Sequence, residues 1–269
     1  MVERVGILDL VATKPIESLR FQIFPEKSLK LFLVEDVKNS PENMGRITRA
    51  IAIEGGKIAI MRPSNPRGEI TDILYHVECP EGKEEEIASR IEELGVCKRV
   101  LIIDMPDKRL ALNVLFPYKV MGERAVVMME AVYSGFMNGM RRRLTEGGAK
   151  AFLYLIGVEV GKELFMSIAQ ILRGKSLTEC IETIFHIQRA LGYCMLRSIK
   201  SIDDTIIIEV SDNWESSILE KRYTSPQCHL TRGIIEGFLR QLTGAKWEVN
   251  EVECLGMGDD KCVFTILRA

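Results

Sequence analysis

The sequence predicts an α+β protein with two domains. Its 269 residues exceed the usual size of one domain, and a hydrophobic content of 46% is enough to bury a core in each of two. In the first half, short β-like runs alternate with amphipathic helical patterns. In the second half, long helical patterns precede several β-like runs. These three observations favour two mixed domains in tandem.

The first predicted domain, residues 29–105, has the element order βαββαβ. This order indicates a ferredoxin-like sandwich, in which two helices cover one face of the sheet. Residues 1–28 precede it as an N-terminal extension, and an apolar stretch at residues 5–12 is a candidate strand or arm. The β-like runs lie at residues 29–35, 57–61, 70–79 and 97–103, and the helical patterns lie around residues 44–51 and 84–94.

Residues 106–119, with two prolines, are predicted as a linker, and residues 120–269 as the second domain. Within its second helix, Gly157 and Gly161 lie four residues apart, which favours close packing against another helix. The predicted helices of this domain are residues 120–144, 149–172 and 177–191, and its predicted strands are residues 193–200, 205–210, 247–253 and 263–267.

Three cysteines and a glutamate near the C-terminus are candidate metal ligands: Cys228, Glu251, Cys254 and Cys262. A tetrahedral zinc ion takes four donors of this kind. A turn rich in glycine and aspartate separates the last two strands, so a hairpin would bring Cys254 and Cys262 together. Glu251 and Cys254 are three residues apart, and a bulge is needed for both to reach one ion.

Cys228 is predicted to lie in the first turn of a helix, because Ser225 and Pro226 have the character of an N-cap and a first helical residue. The free amides and the macrodipole of that turn favour a thiolate. His229 is an alternative fourth ligand, and spacing alone leaves the choice between it and Glu251 open. Buried cysteines that act only as small apolar residues are the other interpretation.

The chain from residue 116 to the C-terminus resembles the 4-vinyl reductase domain family, also described as a hydrocarbon-binding domain. In aromatic-sensing members of that family a zinc is held by Cys, Glu, Cys and Cys, and their spacing matches the four candidate ligands here. The resemblance implies a structural Zn²⁺ site beside a small-molecule pocket, and a fold shared with nitric-oxide-sensing haem domains and Golgi transport-particle subunits. The matching hairpin positions are Glu251, Cys254, Gly258, Asp259, Cys262 and Phe264.

The helices of this domain are expected to bury an apolar cavity against the sheet. His186, Tyr193 and Trp214 are candidates to line it and to supply its polar groups. A histidine with a purely structural role and a tryptophan that packs as a lid are the alternatives.

Residues 29–105 are similar to the ACT domains, small regulatory modules that often bind amino acids and pair through their sheets. ACT domains usually carry a glycine after a conserved proline, whereas Glu42 follows Pro41 here, and its charge would repel an amino-acid carboxylate. The resemblance therefore implies a pairing module and a homodimer, and leaves amino-acid binding open. The matching positions are Pro41, Met44, Ile47, Ile51, Gly55 and Ile58.

Composition excludes several classes of function. The formal net charge of −2 argues against a protein that binds mainly the nucleic-acid backbone. No stretch has the pattern of a signal peptide, and no apolar run is long enough to span a bilayer, so we expect a cytoplasmic protein outside the membrane. Seven cysteines, an odd number, fit reduced thiols better than a disulfide framework.

The sequence contains no Walker-type loop and no nucleophile elbow, and four protein donors would close a zinc site to substrate. We therefore predict a non-enzymatic binding or sensor protein with a regulatory role, whose C-terminal domain takes a small apolar or aromatic ligand. The family name implies one alternative, a reductase or substrate carrier for a vinyl-bearing tetrapyrrole. The identity of the ligand and the downstream partner stay open.

Overall fold

The computed structural model describes residues 21–64, 68–105 and 107–269. The protein is a mixed α+β structure with two compact units, the described part of Ala12–Val126 and Val127–Ala269. The candidate arm at residues 5–12 lies outside the described residues. The second unit begins at Val127, a few residues after the predicted domain boundary at residue 120. The predicted division into domains stays a prediction.

The first unit contains a four-stranded antiparallel sheet with strand order β3-β4-β2-β5. The side chains of two helices and of one sheet face form a common apolar core, which includes Phe32, Ile47 and Tyr75. The elements are β1 (Phe21–Ile23), β2 (Leu29–Lys38), α1 (Pro41–Ile53), β3 (Lys57–Pro63), β4 (Ile70–Glu78), α2 (Glu84–Glu93), β5 (Arg99–Ile103), β6 (Leu110–Leu112), β7 (Lys119–Val120) and β8 (Glu123–Arg124).

Local signals in the sequence explain how these elements begin and bend. Helix α1 begins after Ser40, whose hydroxyl accepts a hydrogen bond from the amide of Asn43, with Pro41 at the first helical position. Strand β2 is longer than predicted, because a bulge between Val34 and Val37 keeps it paired with β4.

The segment predicted as a linker is part of the first unit. Strand β6 lies within it and pairs with β1, and its Ala111 is fully buried against Leu29 and Ile60. The helix predicted from residue 120 is wrong over its first ten residues, because β7 and β8 form a hairpin there. Met121 and Gly122 have positive φ values of 53° and 88° at its turn, a conformation that no helix continues.

The second unit packs helices against a four-stranded antiparallel sheet of order β11-β12-β10-β9. A short 3-10 helix, Leu255–Met257, lies in the turn between its last two strands. The elements are α3 (Glu130–Arg143), α4 (Glu146–Leu172), α5 (Leu177–Ala190), β9 (Met195–Ile202), β10 (Thr205–Ser211), α6 (Trp214–Ser217), α7 (His229–Thr243), β11 (Trp247–Glu253) and β12 (Cys262–Arg268).

Helices α4 and α7 are in direct backbone contact. A Cβ on Gly161 would lie 2.1 Å from the carbonyl oxygen of Ile234, and a Cβ on Gly157 or Gly233 would meet backbone atoms of the facing helix at similar distances. The predicted close packing through Gly157 and Gly161 is confirmed. Because side chains larger than hydrogen do not fit here, the contact fixes the position of α7, which begins at the candidate metal site.

Candidate metal centre and ligand cavity

The terminal hairpin brings its donors to one point, as the sequence predicted. Strands β11 and β12 pair antiparallel, and their register shifts between Glu251 and Glu253. This bulge is the irregularity that Glu251 and Cys254 require to reach a common centre. Cys254 is oriented by the turn, since its amide donates to Asp259 Oδ2 at 2.8 Å and its sulfur accepts from the amide of Gly256 at 3.3 Å.

The side chains of Cys228, Glu251, Cys254 and Cys262 form a buried cluster, which we call the donor cluster. Their ligand atoms all lie within 4.8 Å of one another, so the cluster could hold a metal ion. The sulfur of Cys228 lies 3.8 Å from that of Cys254 and 3.6 Å from that of Cys262. Sulfurs bound to one tetrahedral zinc at about 2.3 Å are separated by about 3.8 Å. The cluster contains Glu251 and leaves out His229.

One carboxylate oxygen of Glu251 accepts a hydrogen bond, and the other has no hydrogen-bond partner among the described residues. Its Oε2 accepts the amide hydrogen of Cys228 at 2.8 Å. Its Oε1 is buried and has no hydrogen-bond partner among the described residues. Burial raises the pKa of Glu251 to about 8, and the negative charge of Cys254 adds to the shift. A buried oxygen without a partner, beside three sulfurs, is the arrangement expected of a donor to a cation.

The three thiols cannot all ionise without a counter-charge. Burial raises the pKa of Cys228 well above its ordinary value, and hydrogen bonds to Cys254 and Cys262 raise it further. Hydrogen bonds from the thiols of Cys228 and Cys262 lower the pKa of Cys254. Protein groups alone thus favour one thiolate that accepts from two thiols. A divalent cation would stabilise all three thiolates, since metal ligands bind in their deprotonated form.

Helix α7 begins three residues later than predicted, at His229, and Cys228 is its N-cap. The side chain that caps α7 is that of the fully buried Glu215, and not that of Ser225. Its carboxylate accepts from the amides of Leu230 at 3.0 Å and Thr231 at 2.8 Å. No sequence signal identified Glu215, because it lies on α6 and is far along the chain from the helix that it caps.

A cavity of about 520 Å³ lies between α4, α5 and α7 in the same unit. Two predicted residues, Tyr193 and Trp214, line it, and their ring centroids are 5.3 Å apart. His186, the third predicted residue, is not among the residues that line this cavity. On α5 the cavity is lined by Ile187 and Gln188, and successive helical residues point about 100° apart, which leaves His186 on another face.

The walls of this cavity are mainly apolar. Leu164, Ile187 and Ile234 contribute aliphatic side chains to it. Two polar lining residues are already bound within the protein: Thr231 donates to the Glu215 carboxylate at 2.9 Å, and Gln188 accepts from Cys194 at 3.4 Å. Because these two groups have partners and the exposed area of the walls is mostly apolar, the cavity suits an apolar or aromatic guest.

One comparison with known protein families concerns this second unit. Residues 210–268 match the V4R domain. The matched segment runs from the end of β10 through β12 and contains all four residues of the donor cluster. The resemblance to the 4-vinyl reductase family is thus confirmed for that segment. No curated protein sequence matches the chain.

Several solved structures are similar to about half of the chain. The phenol-responsive sensory domain of the transcription activator PoxR, solved with phenol, is 16% identical, with 54% of this chain and 77% of that chain covered and a TM-score of 0.48. A vinyl-4-reductase family protein from Methanocaldococcus jannaschii is 22% identical, covering 54% and 84%, with a TM-score of 0.37. A trafficking protein particle complex subunit 3 from Naegleria fowleri, covalently bound to palmitic acid, is 12% identical, covering 52% and 92%, with a TM-score of 0.41. All three similarities are distant.

None of the helices among the described residues is both long enough and apolar enough to cross a bilayer.

Proposed function

We propose that this protein is a non-enzymatic sensor or regulatory protein, and that its C-terminal unit binds a small apolar or aromatic ligand beside a structural zinc ion. The observation that carries the proposal is the cavity of about 520 Å³, with aliphatic walls and the rings of Tyr193 and Trp214. Its volume falls within the range of about 300–1,000 Å³ that is usual for ligand sites. The V4R match in the same unit is consistent with this role.

The donor cluster supports zinc as the metal. Three thiolates and a carboxylate suit a borderline-soft divalent cation, and the sulfur separations of 3.6 and 3.8 Å suit tetrahedral coordination. Four protein donors leave no open position for substrate, which favours a structural over a catalytic role. When bound, the ion would join the start of α7 to the terminal hairpin. Cys228 would bind it from the helix, and Glu251, Cys254 and Cys262 would bind it from the hairpin.

Helix α7 offers a physical connection between ligand and metal. Its N-cap residue, Cys228, belongs to the donor cluster, and Leu230, Thr231 and Ile234 on the same helix line the cavity. A guest that moves these side chains would act on the helix that holds one metal ligand. The protein could in this way convert occupancy of the cavity into a change at the terminal hairpin.

Thermal-shift and calorimetric titrations with phenol, toluene and benzoate test the ligand proposal. We expect saturable stabilisation by at least one aromatic probe, because a ligand that binds only the folded state raises the melting temperature. Val160→Phe, which fills part of the cavity from α4, should weaken this effect by about tenfold. Met166→Phe, an exposed residue of the same helix outside the cavity lining, is the matched control.

No stabilisation by any probe, or equal binding by both variants, would remove the ligand proposal. A pigment that remains with the purified protein, or turnover with a reduced nicotinamide, would instead favour the vinyl-tetrapyrrole reductase or carrier.

We also propose that the first unit is a ferredoxin-like, ACT-like module that serves pairing. The order βαββαβ and the strand order β3-β4-β2-β5 support this proposal. Glu42 lies in the first turn of α1 and would repel an amino-acid carboxylate. Amino acids should therefore leave the melting temperature unchanged in the native protein. A shift that Glu42→Gly increases would restore amino-acid binding as a function of this unit.

A cytoplasmic homodimer completes the proposal. Seven free cysteines suit a reducing compartment. Helix α4 exposes Phe152, Leu155 and Ile156 on neighbouring turns, and an exposed apolar patch of this kind is typical of an interaction surface. Light scattering should give twice the 30.4 kDa chain mass, whereas the mass of a single chain at micromolar concentration would contradict the homodimer.

A further inference from the structure

A second, smaller cavity lies in the unit Val127–Ala269 and shares no lining residue with the ligand cavity. Its volume is about 130 Å³, and the ends of α3, α4 and α7 meet around it. The space is sufficient for a compact oxyanion of the size of a phosphate group.

The charged residues that line this small cavity are mainly cationic. Arg141, Lys150 and Lys221 stand against one acid, Glu146. Arg141 forms an ion pair with Glu215 at 3.3 Å, whereas Lys150 and Lys221 have no ion-pair partner among the described residues. The excess of positive charge would attract an anion from solvent.

His229 lines the same cavity and is only 5% exposed. Its ring nitrogens make no hydrogen bond with any residue in the described part of the chain. A ligand with acceptor oxygens would supply the missing partner.

Hydrogen bonds within the protein hold Arg141 at the wall of the cavity. Arg141 is held by Gln227, donating to its side-chain oxygen at 2.9 Å and to its backbone carbonyl at 3.0 Å. The first residues of α4, a helix of 27 residues, form another part of the wall. The positive end of such a helix favours a bound anion.

We propose that this small cavity binds a compact oxyanion of the phosphate class. Lys150 and Lys221 contribute charge, His229 contributes a ring N–H, and the positive end of α4 faces the bound group. Because Gln227 and His229 flank Cys228, the anion would bind directly beside the residue that joins α7 to the donor cluster. The site has no lining residue in common with the aromatic-ligand cavity, so either proposal can fail without the other.

Isothermal titration of the full-length, metal-loaded protein with inorganic phosphate tests the site. We expect saturable binding with one site per chain. Lys150→Gln and Lys221→Gln should each weaken it by about tenfold, since each removes a charge-assisted contact. Lys162→Gln is the matched control, because Lys162 is an exposed lysine of the same helix outside the cavity, paired with Glu159.

Three results would overturn the site. Heat and melting-temperature changes that potassium chloride reproduces at equal ionic strength would show general screening only. Equal affinity of the Lys150→Gln, Lys221→Gln and Lys162→Gln variants would place any bound phosphate elsewhere. Unchanged affinity in His229→Phe, with metal content verified by native mass spectrometry, would remove the buried ring from the site.

Two sources of the phosphate group are distinguished by a second probe. Glycerol phosphate that binds more tightly than inorganic phosphate would identify the phosphate group of a larger molecule as the occupant. Equal or weaker binding of glycerol phosphate would identify the free ion. Failure of both probes to bind would contradict the proposal.

Discussion

Two buried carboxylates lie near the start of α7, and their surroundings differ in one respect. Glu215 is fully buried and both of its oxygens accept hydrogen bonds from Leu230, Thr231 and Arg141. Glu251 is 7% exposed, and its Oε1 has no partner within the described residues. The protein supplies hydrogen-bond donors to both oxygens of Glu215, and the role of this carboxylate is to cap the helix. One oxygen of Glu251 receives no hydrogen bond, and the neighbours of this carboxylate are three sulfurs.

The comparison teaches that burial alone does not identify a metal ligand. Both residues are acidic, both face the same helix end, and burial raises the pKa of both. What separates them is the count of hydrogen bonds that each oxygen receives. A buried carboxylate with all acceptor positions filled has no capacity for an ion, whereas one with a free oxygen does.

The largest expected effect on stability comes from replacing Glu215. Glu215→Ala should lower the free energy of unfolding by about 3–5 kcal/mol, because it leaves Arg141 buried without its ion partner and uncaps α7. The loss should be the same with and without added zinc. Urea denaturation measures it, and Glu220→Ala, an exposed residue that pairs with Arg142, is the control and should change stability by less than about 1 kcal/mol. A loss that added zinc reverses would place Glu215 among the metal ligands.

Replacing Glu251 should weaken metal binding more than it destabilises the fold. Glu251→Gln should weaken zinc binding on the order of 100-fold, because an anionic donor becomes a neutral amide. In excess chelator its stability should approach that of the native protein. Glu253→Gln, an exposed residue two positions further along the same strand, is the matched control. Competition with a chromophoric chelator gives the affinities, and equal values for both variants would contradict the assignment of Glu251.

A smaller effect is expected from the glycines that fix α7. Gly161→Ala should lower the free energy of unfolding by about 2 kcal/mol, since its Cβ would collide with the carbonyl of Ile234. Gly139→Ala on α3, where nothing lies within 4 Å, should be neutral or slightly stabilising. Thermal denaturation separates the two. Unchanged stability of Gly161→Ala would mean that α7 can shift. The hydrogen bonds that Glu215 and Glu251 accept at the start of α7 would then not be fixed by the position of that helix.

The sequence predicted much of this molecule, for identifiable reasons. Hydrophobic periodicity located most of the longer helices and strands of both units, and the spacing of Glu251 and Cys254 predicted the bulge that the structure contains. Both signals are local. The hairpin at Met121 and Gly122 was missed, because the methionines and valines around it have the spacing of a helix. The two-residue turn ends the regular structure there, but it does not change the spacing of the apolar residues in the sequence.

Features that depend on distant parts of the chain could not be predicted. Glu215 caps a helix that begins fourteen residues later, and no sequence rule joins a cap to a helix across such a loop. The orientation of His186 depends on which face of α5 meets the cavity, and periodicity alone left this undetermined. The small cationic cavity is formed by three separate segments, which only the packing of α4 against α7 brings together.

X-ray absorption at the zinc edge tests the central claim most directly. Untagged protein purified with zinc should contain one ion per chain, with three sulfurs at about 2.3 Å and one oxygen at about 2.0–2.2 Å. The Cys254→Ser, Cys262→Ser double variant should lose both the ion and the sulfur shell. A well-folded protein without stoichiometric zinc, or a shell of nitrogen and oxygen alone, would contradict the account.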